Sequence, residues 1–243
     1  MLRARLPRRP LRTLLPAVLL AAVPALSGCL GDEPTVALLV ADGADGAAQG
    51  VDVEDFTDRV EATCDECRVR VYDAEGDVDT QRSQVRQAEA DSAEVIVVVP
   101  VDGDAVGDVS GRAVPVVALG VLVPGADRFV GLEDGDLPGG TGSGGNGSDV
   151  EAARDVLLGE EESMTYVPVR AMSEQAADVS VALLAGTPVP GGERVDGVES
   201  WFYTAQEVTV DTLTTVLVGQ GVVTLDDLCS GNTEKRCERF GLR

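Results

Sequence analysis

The residues best suited to chemistry in this chain are four cysteines and a set of acids. Cys64-Asp65-Glu66-Cys67 is a C-x-x-C motif, and Cys229 and Cys237 lie near the C-terminus. A C-x-x-C can exchange electrons when one thiolate is stabilised. Here two carboxylates sit between the sulfurs, and the motif falls at the end of a helical pattern, where the dipole is negative. Both effects disfavour a nucleophilic thiolate. Structural zinc would need a second closely spaced pair, which the sequence lacks. Four cysteines permit three disulfide pairings. The acids Asp42, Asp45, Asp102, Asp104, Glu133 and Asp134 follow apolar runs and form the candidate ligand edge. Such carboxylates could hold calcium. In a chain with 42 acids against 19 bases, a solvated acidic rim is the plainer reading, so no metal site is assigned. Histidine is absent, which removes the commonest general base and metal ligand. Neither Gly-x-Ser-x-Gly nor Gly-Lys-Ser/Thr occurs. The expectation is a non-enzyme without a cofactor.

The elements that position these residues centre on Val95-Ile96-Val97-Val98-Val99-Pro100-Val101-Asp102-Gly103. Five apolar residues make a strand suited to burial on both faces. Pro100 ends it, because it has no N–H for a ladder. A short helical stretch can start near Asp104, and Val114 to Leu119 is a second buried strand. Thr35 to Val40 and Arg68 to Tyr72 are earlier strands. Asp52 caps a helix with Val53, Phe56 and Val60 on one face, and Asp77 or Asp79 caps the next. The order βαβαβ, then a shortened crossover and two more strands, gives an α/β fold with a doubly wound, mostly parallel sheet. In such sheets ligands sit at the carboxyl ends of the strands.

The stretch from Val95 to Asp136 resembles the sugar-binding proteins of bacterial ABC importers, the xylose-binding branch most of all. The carriers are the hydrophobic run with Pro100-Val101-Asp102-Gly103, then Ala126-Asp127-Arg128-Phe129 with Leu132-Glu133-Asp134. Gly159 to Tyr166 is similar to the family segment before its long helix, and Thr204 to Val208 to its last crossing. The resemblance implies a periplasmic-binding-protein-like lobe with the second lobe missing or vestigial. A Gly/Ser-rich linker, residues 139–149, stands where most of that lobe would be. Residues 35–138 then form the first part of the lobe, and 150–243 are a return segment completing it. Family members hold sugar with an Asp-Arg pair that here becomes Gly120-Val121, and the amide of the Phe-Asp-Asn position is lost at Asp134. Sugar recognition is therefore expected to be degenerate. Gln81 and Gln84 recur in the family, as ligand groups or plain helix-surface residues. The similar C-x-x-C of actinobacterial members supports the local pairings Cys64–Cys67 and Cys229–Cys237. Trp201, the only tryptophan, sits in an apolar run and reads as core.

The N-terminus has five arginines, the apolar run Leu14 to Leu26, and Leu26-Ser27-Gly28-Cys29. The run is short for a membrane span. The ending resembles the lipobox of bacterial lipoproteins, which implies a signal peptide over residues 1–28, lipid on Cys29 and a tether over 29–34. Without the five leader arginines, 14 bases face 42 acids, a net charge of −28. That repels nucleic acid. The expected protein is a lipid-anchored solute-binding component on the extracytoplasmic face of the cell membrane, with a sugar-like solute and an ABC permease as partners. The alternative is a non-transport surface lipoprotein acting as an interaction or regulatory module.

Overall fold

The structure is a computed structural model that describes residues 33–43, 50–103, 106–107, 109, 111–133 and 150–242. Cys29 with the leader, Asp45, Asp104, Asp134 and the linker at 139–149 lie outside the described residues.

The chain runs β1 (Thr35–Val40), α1 (Val53–Thr63), β2 (Arg68–Asp73), α2 (Val78–Ala90), β3 (Val95–Val98), β4 (Val116–Gly120) and β5 (Arg128–Leu132). It continues with α3 (Val150–Leu158), β6 (Ser163–Tyr166), α4 (Val169–Ala185), β7 (Glu193–Val195), β8 (Val198–Tyr203), β9 (Gln206–Thr209), α5 (Leu225–Leu228) and α6 (Glu234–Phe240). Seven strands form one sheet in the order β2-β1-β3-β4-β5-β8-β7. All neighbours are parallel except β7, which pairs antiparallel with β8. The fold is thus α/β with a mostly parallel sheet.

The apolar runs explain the layering. β3 and β4 are buried along their whole length, because helices or loops cover both sheet faces. On one face Leu38, Val97, Val117 and Val130 pack under α1 and α4 through Phe56, Val60, Met172 and Ala176. On the other, Leu39, Ile96 and Ala118 pack with Val85 and Ala88 of α2. Burying each Leu, Ile, Val or Phe contributes about 1.5–3 kcal/mol relative to exposure. Trp201 joins the first face, and its indole N–H donates to the Pro190 carbonyl at 3.1 Å. The helical stretch expected from Asp104 falls largely outside the described residues, while the described Val106 and Val109 reach the second face.

The return segment is not a single continuation of this lobe. α4, β7 and β8 complete the large sheet. α3, β6, β9, α5 and α6 instead build a second, smaller core around Val156, Leu157, Met164, Tyr166, Val208, Leu213 and Leu217. β6 and β9 form its antiparallel two-stranded sheet. Apolar side chains of the two segments, some 40 residues apart, bury each other, which neither segment could do alone. Cys229–Cys237 closes this core, and Cys64–Cys67 closes the turn after α1.

Candidate functional site

Both described connections between the cores leave from the carboxyl edge of the large sheet. β6 ends at Tyr166 and α4 begins at Val169, while β8 ends at Tyr203 and β9 begins at Gln206. Pro168, at φ −78° and ψ 59°, makes a tight turn in which the Val169 N–H donates to the Val167 carbonyl at 2.8 Å. A hollow opens at this junction. Asp52, Asp55, Val169 and Arg170 line it from the large core, and Tyr166, Gly221 and Val222 from the small one. Its free space is about 480 Å³, including solvent at the mouth.

Local rules place each polar group. Asp52 is the N-cap of α1, and its Oδ1 accepts the Asp55 N–H at 3.0 Å. The Asp52 N–H donates to Ser173 Oγ at 2.8 Å, which ties the start of α1 to α4. Arg170 lies in the first turn of α4. It reaches Asp55 at 3.5 Å and Glu174 at 3.1 Å. The Tyr166 hydroxyl donates to Gln220 Oε1 at 3.2 Å. Burial, then the Asp52 charge, push the Asp55 carboxyl above its ordinary range, and the Arg170 guanidinium only partly offsets this. The Arg170 guanidinium is held still more firmly protonated by its hydrogen bond to Glu174 and the charge of Asp55. Burial also raises the Tyr166 phenol, so the hydroxyl stays a neutral donor.

The residues expected at the ligand edge fall differently. Asp42 and Asp102 stand exposed beyond the ends of β1 and β3, and neither lines this hollow. Glu133 follows β5 and accepts from the Thr204 hydroxyl at 3.3 Å. It borders a separate apolar groove on the opposite sheet face, with Leu122, Phe129, Leu132, Val195 and Phe202. Among the described residues no group of three His, Cys, Asp or Glu is arranged to hold a metal ion. No helix of the described residues is long and apolar enough to cross a membrane. Gln81 is a positioning group and not a ligand group. It is buried, its Nε2 donates to the Val99 carbonyl and its Oε1 accepts the Val101 N–H, each at 2.9 Å. Gln84 donates to the Asp73 carbonyl at 2.7 Å, while its buried Oε1 has no hydrogen-bond partner among the described residues.

Residue types and spacing alone do not single out Asp55, Arg170 and Tyr166, and they show Asp52 only as a cap. A usable signal exists: Asp52 opens the helix after β1, so it must stand at the carboxyl edge. At the aligned pair, Gly120 has φ +84°, and a Cβ on Gly103 would approach Val121 to 2.9 Å. Gly120 thus has a backbone that an aspartate adopts only with strain.

No family profile matches the sequence, and no curated protein matches it. Solved structures do match. One is an ABC transporter solute-binding protein from Clostridium phytofermentans with bound β-D-glucose, at 12% identity and TM-score 0.60, covering 80% of this chain and 99% of that one. Another is a carbohydrate transporter solute-binding protein from Chloroflexus aurantiacus in complex with D-glucose, at 13% identity and TM-score 0.55, covering 80% and 97%. A third is an ABC transporter solute-binding protein from Mycobacterium smegmatis with bound glycerol, at 15% identity and TM-score 0.55, covering 75% and 96%. At such identities the likeness speaks to architecture alone: this chain has the fold of the sugar-binding solute-binding proteins of ABC transporters.

Proposed function

We propose that the protein is a lipid-anchored solute-binding component of an ABC importer whose recognition of neutral sugars is weakened. The observation that carries the reading is the hollow between the two cores, at the carboxyl edge of a parallel sheet, lined by carboxylates, a guanidinium and a phenol. The fold shared with glucose- and glycerol-bound proteins supports a polyhydroxylated solute. The weakening is argued from Gly120-Val121, which supplies neither a carboxylate nor a fork donor. Removing one charge-assisted hydrogen bond costs about 1.5–3 kcal/mol. Calorimetry with xylose, ribose or glucose is expected to give no binding at micromolar concentration. Gly120→Asp with Val121→Arg is not expected to rescue it, because Gly120 has a positive φ that an aspartate adopts only with strain. A micromolar Kd for the unmodified protein would overturn the weakening and leave ordinary sugar transport standing. A thermal-shift screen over pentoses, hexoses, polyols and amino sugars tests binding itself, since a native-state ligand raises Tm. No saturable shift with any of them would overturn the solute-binding reading.

One observation favours the alternative of a protein-interaction lipoprotein. The groove beside Glu133 leaves Leu122 43% and Val195 40% exposed. Such apolar surface suits a partner better than water.

A further inference from the structure

Cations are scarce in this chain, and many are already engaged. Seven arginines form ion pairs among the described residues, at 2.7–3.5 Å. Four of the 14 bases that follow the leader fall within residues 235–243, and Lys235 is the only lysine of the chain. α6 carries three of them, Lys235, Arg236 and Arg239. Lys235 and Arg239 are exposed and form no ion pair among the described residues. Arg236 is spent locally. Its Nε donates to the Leu157 carbonyl at 2.9 Å, and its guanidinium lies over the Phe240 ring, 5.1 Å from the centroid.

Phe240 is the other half of the feature. At 45% it is the most exposed large apolar side chain among the described residues. It lines neither the hollow nor the apolar groove. At about 100° per residue, Lys235, Arg239, Arg236 and Phe240 share one outward arc of α6. Glu234 and Glu238 keep to the other edge of the helix. Cys237, fully buried and bonded to Cys229, faces the small core and fixes which side α6 presents. An exposed aromatic ring beside long cations is the pattern of a helix that lies on charged headgroups. The acidic body repels anions at long range, but at physiological salt charges more than about 8 Å apart are largely screened. The surface nearest α6 therefore decides. A folded protein partner would need a pocket shaped to the Phe240 ring, whereas lipid headgroups close around any single projecting ring.

We propose that the basic and aromatic face of α6 docks on an anionic lipid surface, with Phe240 among the headgroups and Lys235 and Arg239 against their phosphates. Each base near such a surface strengthens partitioning about fivefold, so the pair contributes about 25-fold. This contact is weak alone. It gains when an anchor already holds the chain at the surface, and it turns the small core toward the lipid.

The test is cosedimentation of residues 33–243 with lipid vesicles at about 0.15 M salt. All described strands and helices lie within this stretch, which forms one compact unit, so it keeps both cores and leaves out the leader and Cys29. The result therefore speaks to α6 and not to the anchor. Phosphatidylglycerol vesicles should bind the chain, phosphatidylcholine vesicles should not, and salt at about 1 M should abolish binding. Lys235→Gln with Arg239→Gln should weaken partitioning about 25-fold at unchanged Tm. Phe240→Ala should weaken it about tenfold. Arg82→Gln with Arg86→Gln makes the same charge change at exposed positions of α2 and should have no effect. Phe240→Trp should keep binding, and its emission should shift to the blue on phosphatidylglycerol alone, while Trp201 stays buried. No binding to phosphatidylglycerol, equal binding to both lipids, or equal losses in the α6 and α2 pairs would each overturn the proposal. Binding of polyglutamate with no binding to vesicles would overturn it in favour of an acidic protein partner.

Discussion

Single side chains set the geometry of the ligand edge. Gln81 spans the backbone on both sides of Pro100, where the β ladder stops, and satisfies one carbonyl and one N–H. Gln81→Leu fills the space but leaves both groups unpaired. Urea unfolding should show a loss of about 1–3 kcal/mol per unsatisfied group. Two aspartates carry opposite pH signatures. Asp77 caps α2, and the Thr80 backbone N–H and hydroxyl hold its carboxyl below the ordinary value of 3.8. Its charge therefore stabilises the fold above pH 3.8, and that support is lost as pH falls through the lowered native value. Asp77→Asn should differ from the parent at neutral pH and converge with it in acid. Asp55 is raised, so the fold is favoured by its protonated form, and that advantage disappears as pH rises from 3.8 through the native value. Asp55→Asn should therefore gain stability relative to the parent on going from acid to neutral pH, measured by Tm across the range. A carboxylate whose charge costs the fold stability at neutral pH is what a binding site would contain.

At the scale of elements, the junction is held by the packing of α1 against α4. Arg59 forms a two-pronged ion pair with Asp178 at 2.7 and 2.8 Å, and Asp52 binds Ser173. The small core depends more on covalent and polar braces, since α5 and α6 are short. Arg154 donates to the Asp227 carbonyl and to Ser230, and Arg236 to the Leu157 carbonyl. Cys229 and Cys237 are fully buried and eight residues apart. A loop of that size is credited with about 2–3 kcal/mol. Replacing both cysteines with alanine should raise amide exchange in α3, β6 and β9 while β1, β3 and β4 keep their protection. Equal loosening of both cores would show that they unfold as one unit. Part of this scale is legible in the sequence. The strands from β1 to β4, the caps Asp52 and Asp77 and the glycine stop after α3 follow from periodicity and local chemistry. The β7–β8 hairpin is harder to see, because its Gly and Pro content points to a loop. Asp196-Gly197, with φ of 49° and 91°, is the two-residue turn that suits a twisted antiparallel pair. Strand β7 has three residues, all exposed, so no alternation marks it.

For the whole molecule, the proposed reading attaches the chain to the membrane through Cys29. Cys29→Ser should release the protein from washed membranes or leave it unprocessed. Equal retention of the variant, measured by immunoblot of the membrane fraction, would remove the anchor. The excess of acids, with 42 against 19 bases over the full chain, keeps nucleic acid and other anions away.

The sequence by itself determined the layered sheet, because a run such as Val95 to Val99 has only one environment in which every side chain leaves water. It also carried the likeness to sugar-binding proteins and the absence of the Asp-Arg pair, since those are statements about residue types in order. Tertiary structure decided where the hollow lies and what lines it. Asp52 and Arg170 are more than 100 residues apart, and only the packing of α1 against α4 brings their charges together. It also decided that α3, β6, β9 and the C-terminal turn form their own core. Each is too short to hide its apolar face, and which partners satisfy it depends on chain crossings that no local pattern encodes.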